Sequence, residues 1–235
     1  MKKFEQIYWE IKEQIQSGQL SAGMKLLSEN SYCQKYSVSR GTIRKALDLL
    51  AQDGLINAQH GKGAYVLDHD PVTFSFGTLV SFAEANQDSN NRFSTNVVSF
   101  ANCNCPDELA KLSNFPLQTP LAQIVRVRKL AGERVIVDIN YFDSQIITGL
   151  NSMLAAKSIY KHIEQTLGLK IGFARRTIEV APITELDKDN LDLKNYSLVA
   201  VVKNWVYLHD GRLFEYTESH HRPDRFIFNE FVRRR

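Results

Sequence analysis

The chain has 235 residues, 43% of them hydrophobic and 23% charged, with a formal net charge of +3. This composition excludes a disordered or fibrous chain and suits one large globular domain or two modest ones. No apolar run approaches the roughly 20 residues that cross a bilayer. The start, interrupted by Glu and Gln, lacks a signal-peptide pattern, and three cysteines make no disulfide framework.

The expectation is a cytoplasmic protein with no membrane contact. In chain order, Ile7, Ile11 and Ile15 recur one turn apart beside Phe4 and Tyr8, and predict a first helix that Gly18 ends. Ser28 is an N-cap residue type, and Glu29 lies where the helix dipole favours an anion. A short second helix should follow, to about Lys35. Ser39 opens a third, with Val38 and Ile43 at hydrophobic-staple spacing and Gly54 at its end. The β-prone runs 55–58 and 64–67 flank turn glycines and read as a hairpin.

Residues 69–77 contain Pro71 and no dominant period. They read as a linker between a first domain, 1–68, and a second, 78–233. Beyond the linker, runs 123–132, 134–142, 198–211 and 213–222 are β-rich. Runs 106–115, 158–168 and 183–193 are helical. This mixture predicts an α+β domain with a mostly antiparallel sheet.

In the first domain, a short helix, a turn and a helix with an apolar inner stripe form a helix-turn-helix pattern. The second of those helices enters the DNA major groove by its N-terminal end. Ser39, Arg40 and Thr42 lie in its first turn. Arg44 follows Arg40 one turn later on the same face, next to Lys45. An arginine that grips guanine O6 and N7 contributes about 1–3 kcal/mol of discrimination. Hydroxyls and amides at a helix start suit phosphates. Lys62, between Gly61 and Gly63 at the hairpin tip, suits a minor groove or a phosphate. The bland alternative is a solvated helix face, since residues 1–68 hold 9 Lys+Arg against 7 Asp+Glu. The distribution argues for DNA: residues 35–47 contain Lys35, Arg40, Arg44 and Lys45 and no acid.

Residues 4–68 resemble the winged helix-turn-helix of the GntR family of bacterial transcription regulators. The likeness lies in Leu26-Leu27-Ser28-Glu29, in Val38 to Leu47, in Leu50 to Ile56 and in Gly61-Lys62-Gly63. It implies DNA contacts from Ser28, Glu29, Ser39, Arg40, Thr42, Arg44 and Lys45 and from the Gly61–Gly63 wing. Two positions depart from the family pattern. Leu27 replaces a proline, and Asn30 stands where many members carry an arginine.

In the second domain, Arg126 and Arg128 alternate within a strand and share a face. Such a pair suits a phosphate or carboxylate, and equally an exposed face with ion pairs. Phe214 to Glu218 mixes aromatics and acids, which suit sugar hydroxyls or cross-strand pairs. His220 and His221 are adjacent in a strand, point to opposite faces and make a poor chelate. Cys103 and Cys105 lack the second pair that a structural zinc site needs. No metal and no cofactor is expected.

This half resembles the UTRA domain of the HutC subfamily, whose fold is similar to chorismate lyase. The matching pieces are Leu79 to Phe82, Val125 to Arg128, Val137 to Phe142, Ser158 to Tyr160, and Arg222 to Phe226 with Phe228. The resemblance implies phosphate contacts from Ser81, Phe82, Arg126, Arg128 and Ser158. It implies sugar contacts from Asp138, Tyr160, Glu215 and Glu218. Within the subfamily the likeness is strongest to repressors of trehalose-utilisation operons. That implies a homodimeric, DNA-binding repressor released from operator DNA by trehalose 6-phosphate. The alternatives are another effector, such as glucosamine 6-phosphate or N-acetylglucosamine 6-phosphate, a chorismate-lyase-like enzyme, and an architectural DNA-binding protein. No motif unites a nucleophile, a base and an orienting group, so no catalytic residue is assigned.

Overall fold

The computed structural model describes residues 2–59, 63–67, 82, 86 and 93–228. The chain divides into two compact units, one drawn chiefly from residues up to Thr78 and one spanning Leu79–Phe226.

The first unit holds α1 (Lys3–Gln16), α2 (Glu29–Tyr36), α3 (Arg40–Gln52) and the strands β1 (Ile56–Gln59) and β2 (Gly63–Val66). Its helices begin and end where local chemistry says they should. Ser28 accepts the Ser31 amide at 3.1 Å, and Ser39 accepts the Thr42 amide at 3.3 Å. Gly18, with φ of 77°, turns the chain after α1 in a conformation that suits a residue without Cβ. Ile7, Ile11 and Ile15 of α1 meet Ile43 and Leu50 of α3 and Ile56 of β1 in one core. Each such buried side chain is worth about 1.5–3 kcal/mol. That core orients α3 so that its other face is left to solvent. β1 and β2 pair antiparallel as a hairpin.

The second unit runs β3 (Phe93–Asn104), α4 (Asp107–Ser113), β4 (Pro120–Leu130), β5 (Glu133–Asp143), α5 (Ser152–Ala155), α6 (Ile159–Lys161), β6 (Ile171–Pro182), α7 (Glu185–Asn190), β7 (Leu198–Leu208) and β8 (Leu213–His221). The sheet order is β3-β4-β5-β8-β7-β6, and every pairing is antiparallel. The four inner strands match the four β-rich runs. Both edges, β3 and β6, lie outside those runs. An edge strand buries little: β6 is exposed at most of its positions, so it lacks the apolar run that marks an inner strand. The 158–168 run also differs from expectation. Only Ile159–Lys161 is α-helical, and a π-helical turn, His162–Thr166, follows. There the Leu167 amide donates to the His162 carbonyl. The sheet has apolar cover on both faces. Ile124 and Phe142 pack with Ile159 and Ile163, while Val125, Val127 and Val137 pack with Leu191.

Candidate DNA-binding and effector sites

On the first unit, Ser28, Ser39, Arg40, Arg44 and Lys45 are exposed, and Glu29 and Thr42 are half-buried. The caps already use the hydroxyls: Ser39 Oγ lies 3.0 Å from Thr42 Oγ1, and Ser28 Oγ lies 2.8 Å from Ser31 Oγ. Arg40 and Arg44 sit on consecutive turns of α3. The Arg44 Nε donates to both carboxylate oxygens of Glu29, at 3.1 and 3.0 Å. Glu29 therefore ties α2 to α3 and aims a guanidinium. Lys45 turns towards α1, with its ammonium 5.9 Å from the Phe4 ring centre.

Of the wing, Gly63 is described; Gly61 and Lys62 lie outside the described residues. Gly63 has φ of +101°, and a Cβ there would come within 2.8 Å of Lys25 Cε. The positive φ calls for glycine, whereas the flexible end of Lys25 could move aside. The same contact places Lys25, exposed and stacked over the Tyr65 ring at 5.6 Å, beside the base of the hairpin. Sequence reading missed Lys25, because only the Lys25–Tyr65 bridge between distant segments puts it there.

On the second unit, alternation does place Arg126 and Arg128 on one face. They are buried, with 8% and 3% of their surface exposed. Arg126 stands opposite Asp138 on β5, which stands opposite Ser219 on β8. Arg128 donates from Nε to Asp138 at 2.8 Å and from Nη1 to Thr95, and its guanidinium lies 4.0 Å from the Phe82 ring centre. Ser219 donates to the other Asp138 oxygen at 2.6 Å. Asp138 thus holds Arg128 in place. Burial alone would raise its pKa, but the charges of Arg128 and Arg126 and the Ser219 bond outweigh burial and lower it.

Arg126 donates from Nη2 to Asn140 at 2.8 Å and from Nη1 to the Ala155 carbonyl at 3.5 Å. Its Nε is buried and has no hydrogen-bond partner among the described residues. Burial first, and then the neighbouring Arg128 charge, pull its pKa down to about 10. It stays a cation at neutral pH. An unmatched buried donor costs about 1–3 kcal/mol, so this arginine is set to receive an acceptor.

Asn140 passes the contact on, donating to Thr217 at 2.8 Å and to Glu215 at 3.0 Å. Tyr160 donates to the other Glu215 oxygen at 2.8 Å. Burial raises the pKa of Glu215 against these bonds, and burial with the Glu215 charge raises that of Tyr160. Ser158 caps α6 by accepting the Lys161 amide at 3.3 Å. Ser81 lies outside the described residues.

Glu218 requires a correction. The resemblance implies a sugar contact from it as from Glu215, but residues three apart in a strand face opposite ways. Glu218 lies on the far face, where it accepts from Tyr216 and stands 3.6 Å from His220. His220 in turn bonds Asp187 at 2.8 Å. His221 points the other way: burial lowers its pKa to about 4 against the nearby Asp138 charge. Sequence reading also missed Thr95, Asn140, Thr217 and Ser219. Three of them were within reach of strand alternation, counting from Asp138 to Asn140 and from Glu215 to Thr217 and Ser219.

Both units match known families. Residues 3–66 match the model of bacterial regulatory proteins, gntR family, and residues 88–227 match the UTRA domain. The chain is 40% identical over 233 residues to the HTH-type transcriptional regulator TreR of Bacillus subtilis, covering 99% of this chain and 98% of that one. The crystal structure of possible transcriptional regulator YydK of B. subtilis superposes with a TM-score of 0.80 at 26% identity, over 99% of this chain and 100% of that one. The effector-binding domain of the B. subtilis trehalose repressor TreR superposes with a TM-score of 0.56 at 38% identity, over 60% of this chain and 98% of that domain. With a gntR-type helix-turn-helix ahead of a UTRA domain, this chain belongs to the GntR family of transcriptional regulators, in its HutC branch.

Proposed function

We propose that the protein is a cytoplasmic repressor of a trehalose-utilisation operon, released from its operator by trehalose 6-phosphate. The buried Arg126 Nε without a partner, beside Arg128, carries the phosphate part of this reading. The similarity to the B. subtilis trehalose repressor supports the sugar part. In this reading residues 1–68 bind DNA through Arg40, Arg44 and the Gly61–Gly63 wing, and residues 69–77 link them to an effector domain over 78–233. The effector phosphate takes Arg126, Arg128, Ser158 and the Ser81-Phe82 segment. Tyr160 and Glu215 meet the adjoining sugar. Release follows only from a difference in effector affinity between the DNA-competent arrangement and the other one.

The repressor acts as a homodimer on a two-fold operator. Supporting this, β6 has a sheet partner on one side only among the described residues, and Phe173, Ile178 and Val180 on it are exposed. Exposed apolar edge strands pair readily with another copy. A single-chain mass in analytical ultracentrifugation would overturn the dimer. The effector is tested by gel shift on the operator. Trehalose 6-phosphate should dissolve the complex, while trehalose and inorganic phosphate should not. Release by glucosamine 6-phosphate instead would move the protein to an amino-sugar operon.

A further inference from the structure

A row of polar side chains crosses the sheet beyond the arginine pair. Asn140 on β5 stands opposite Thr217 on β8, Thr217 opposite Asn204 on β7, and Asn204 opposite Arg176 on β6. Four adjacent strands each contribute one residue in register, and all four point to the face that holds Arg126. Their neighbours on β7 at the same face are Val202 and Val206, the residue type an apolar layer prefers. A polar row in that setting is costly unless its members find partners.

The row opens outward. Asn140 and Thr217 are buried, whereas Asn204 and Arg176 are half-buried. Arg126 leans onto Asn140, and Arg176 Nε donates to Asn204 Oδ1 at 2.6 Å. Arg126 and Arg176 come from strands four spacings apart, and each reaches inward to the neighbouring asparagine, so their guanidinium groups are separated by at least the two spacings between β5 and β7, roughly 10 Å. Tyr160 lies within electrostatic reach of both. A hexose phosphate anchored on Arg126 and Arg128 fills the near half of this span. Reaching Arg176 takes a second ring.

We infer that Arg176 and Asn204 form a distal subsite that reads hydroxyls of the second ring of a disaccharide phosphate. The inference rests on the phosphate reading of Arg126 and Arg128. A guanidinium and a carboxamide supply the planar donors, and the carboxamide the acceptor, that ring hydroxyls need.

The test is calorimetric titration of the full chain with trehalose 6-phosphate and with glucose 6-phosphate, which keeps the phosphate and one ring. The wild type should bind the disaccharide phosphate at least tenfold tighter, the scale of one charge-assisted hydrogen bond. Arg176→Gln should remove that advantage and leave glucose 6-phosphate binding unchanged. Asn204→Ala should act the same way to a smaller degree, and guards against a fold defect in the first variant. Equal affinity of the wild type for both ligands overturns the subsite. So does an equal loss of both ligands, or a loss of neither, in both variants. A wild type that binds neither ligand overturns the phosphate reading itself, and with it the subsite.

Discussion

Arg44 on α3 and Arg128 on β4 are each paired to a carboxylate, in contrasting surroundings. The Arg44 side chain is 62% exposed and meets Glu29 at the surface, where a pair contributes little and salt screens it. The Arg128 side chain is 3% exposed and is held by Asp138, Thr95 and the Phe82 ring. The contrast follows the ligand each is read to meet. A DNA backbone is long and already charged, so a guanidinium must stay hydrated and ready to exchange its partner. A small phosphate offers few contacts, so its arginines must be desolvated and oriented before it arrives.

The largest expected effect comes from Arg126→Ala. Effector binding should weaken more than 100-fold by calorimetry, as when one partner of a buried charge pair is removed, while operator affinity stays. Loss of both functions would break the division of labour between the two units. Arg40→Ala is the converse. Operator affinity should fall about 10- to 100-fold, the worth of one base-reading arginine, with the thermal shift by effector intact.

The third expectation concerns pH. Burial alone lowers the pKa of His220, but its hydrogen bond to Asp187 and the nearby Glu218 carboxylate outweigh burial and raise it to about 9. The unfolded value is about 6.5. The stabilisation is therefore complete below about pH 6.5 and disappears as pH rises through about 9. His220→Gln should cost about 1–3 kcal/mol at pH 6, typical of a charged hydrogen bond, and almost nothing at pH 10. Urea denaturation at the two pH values measures it. A pH-independent cost would mean that His220 packs as a neutral ring.

The smallest effect is Glu29→Gln, which should cost under about 1 kcal/mol of stability because the pair is exposed. Denaturation of the variant at low and high salt checks this. A larger cost would make the Arg44–Glu29 contact structural and weaken the contrast with Arg128.

Local chemistry marked the helices and turns of the first unit of this protein. Isoleucines one turn apart, hydroxyl caps at Ser28 and Ser39 and glycine at the turns each act within a few residues, so they can be read in order along the chain. The inner strands were equally legible, since burial on both faces demands apolar runs such as Val125 to Val127. The edge strands β3 and β6 were hidden, because a strand that buries little carries no such pattern. The Arg-x-Arg pair was visible, yet spacing left it open between a ligand site and an ion-paired surface. Tertiary structure buried both arginines, so neither lies on an exposed face. It also set Glu215 and Glu218 on opposite faces, brought Lys25 to the wing and aligned Asn140, Thr217, Asn204 and Arg176. Those outcomes depend on which strands become neighbours and in what register, which joins distant residues such as Asn140 and Thr217, 77 apart.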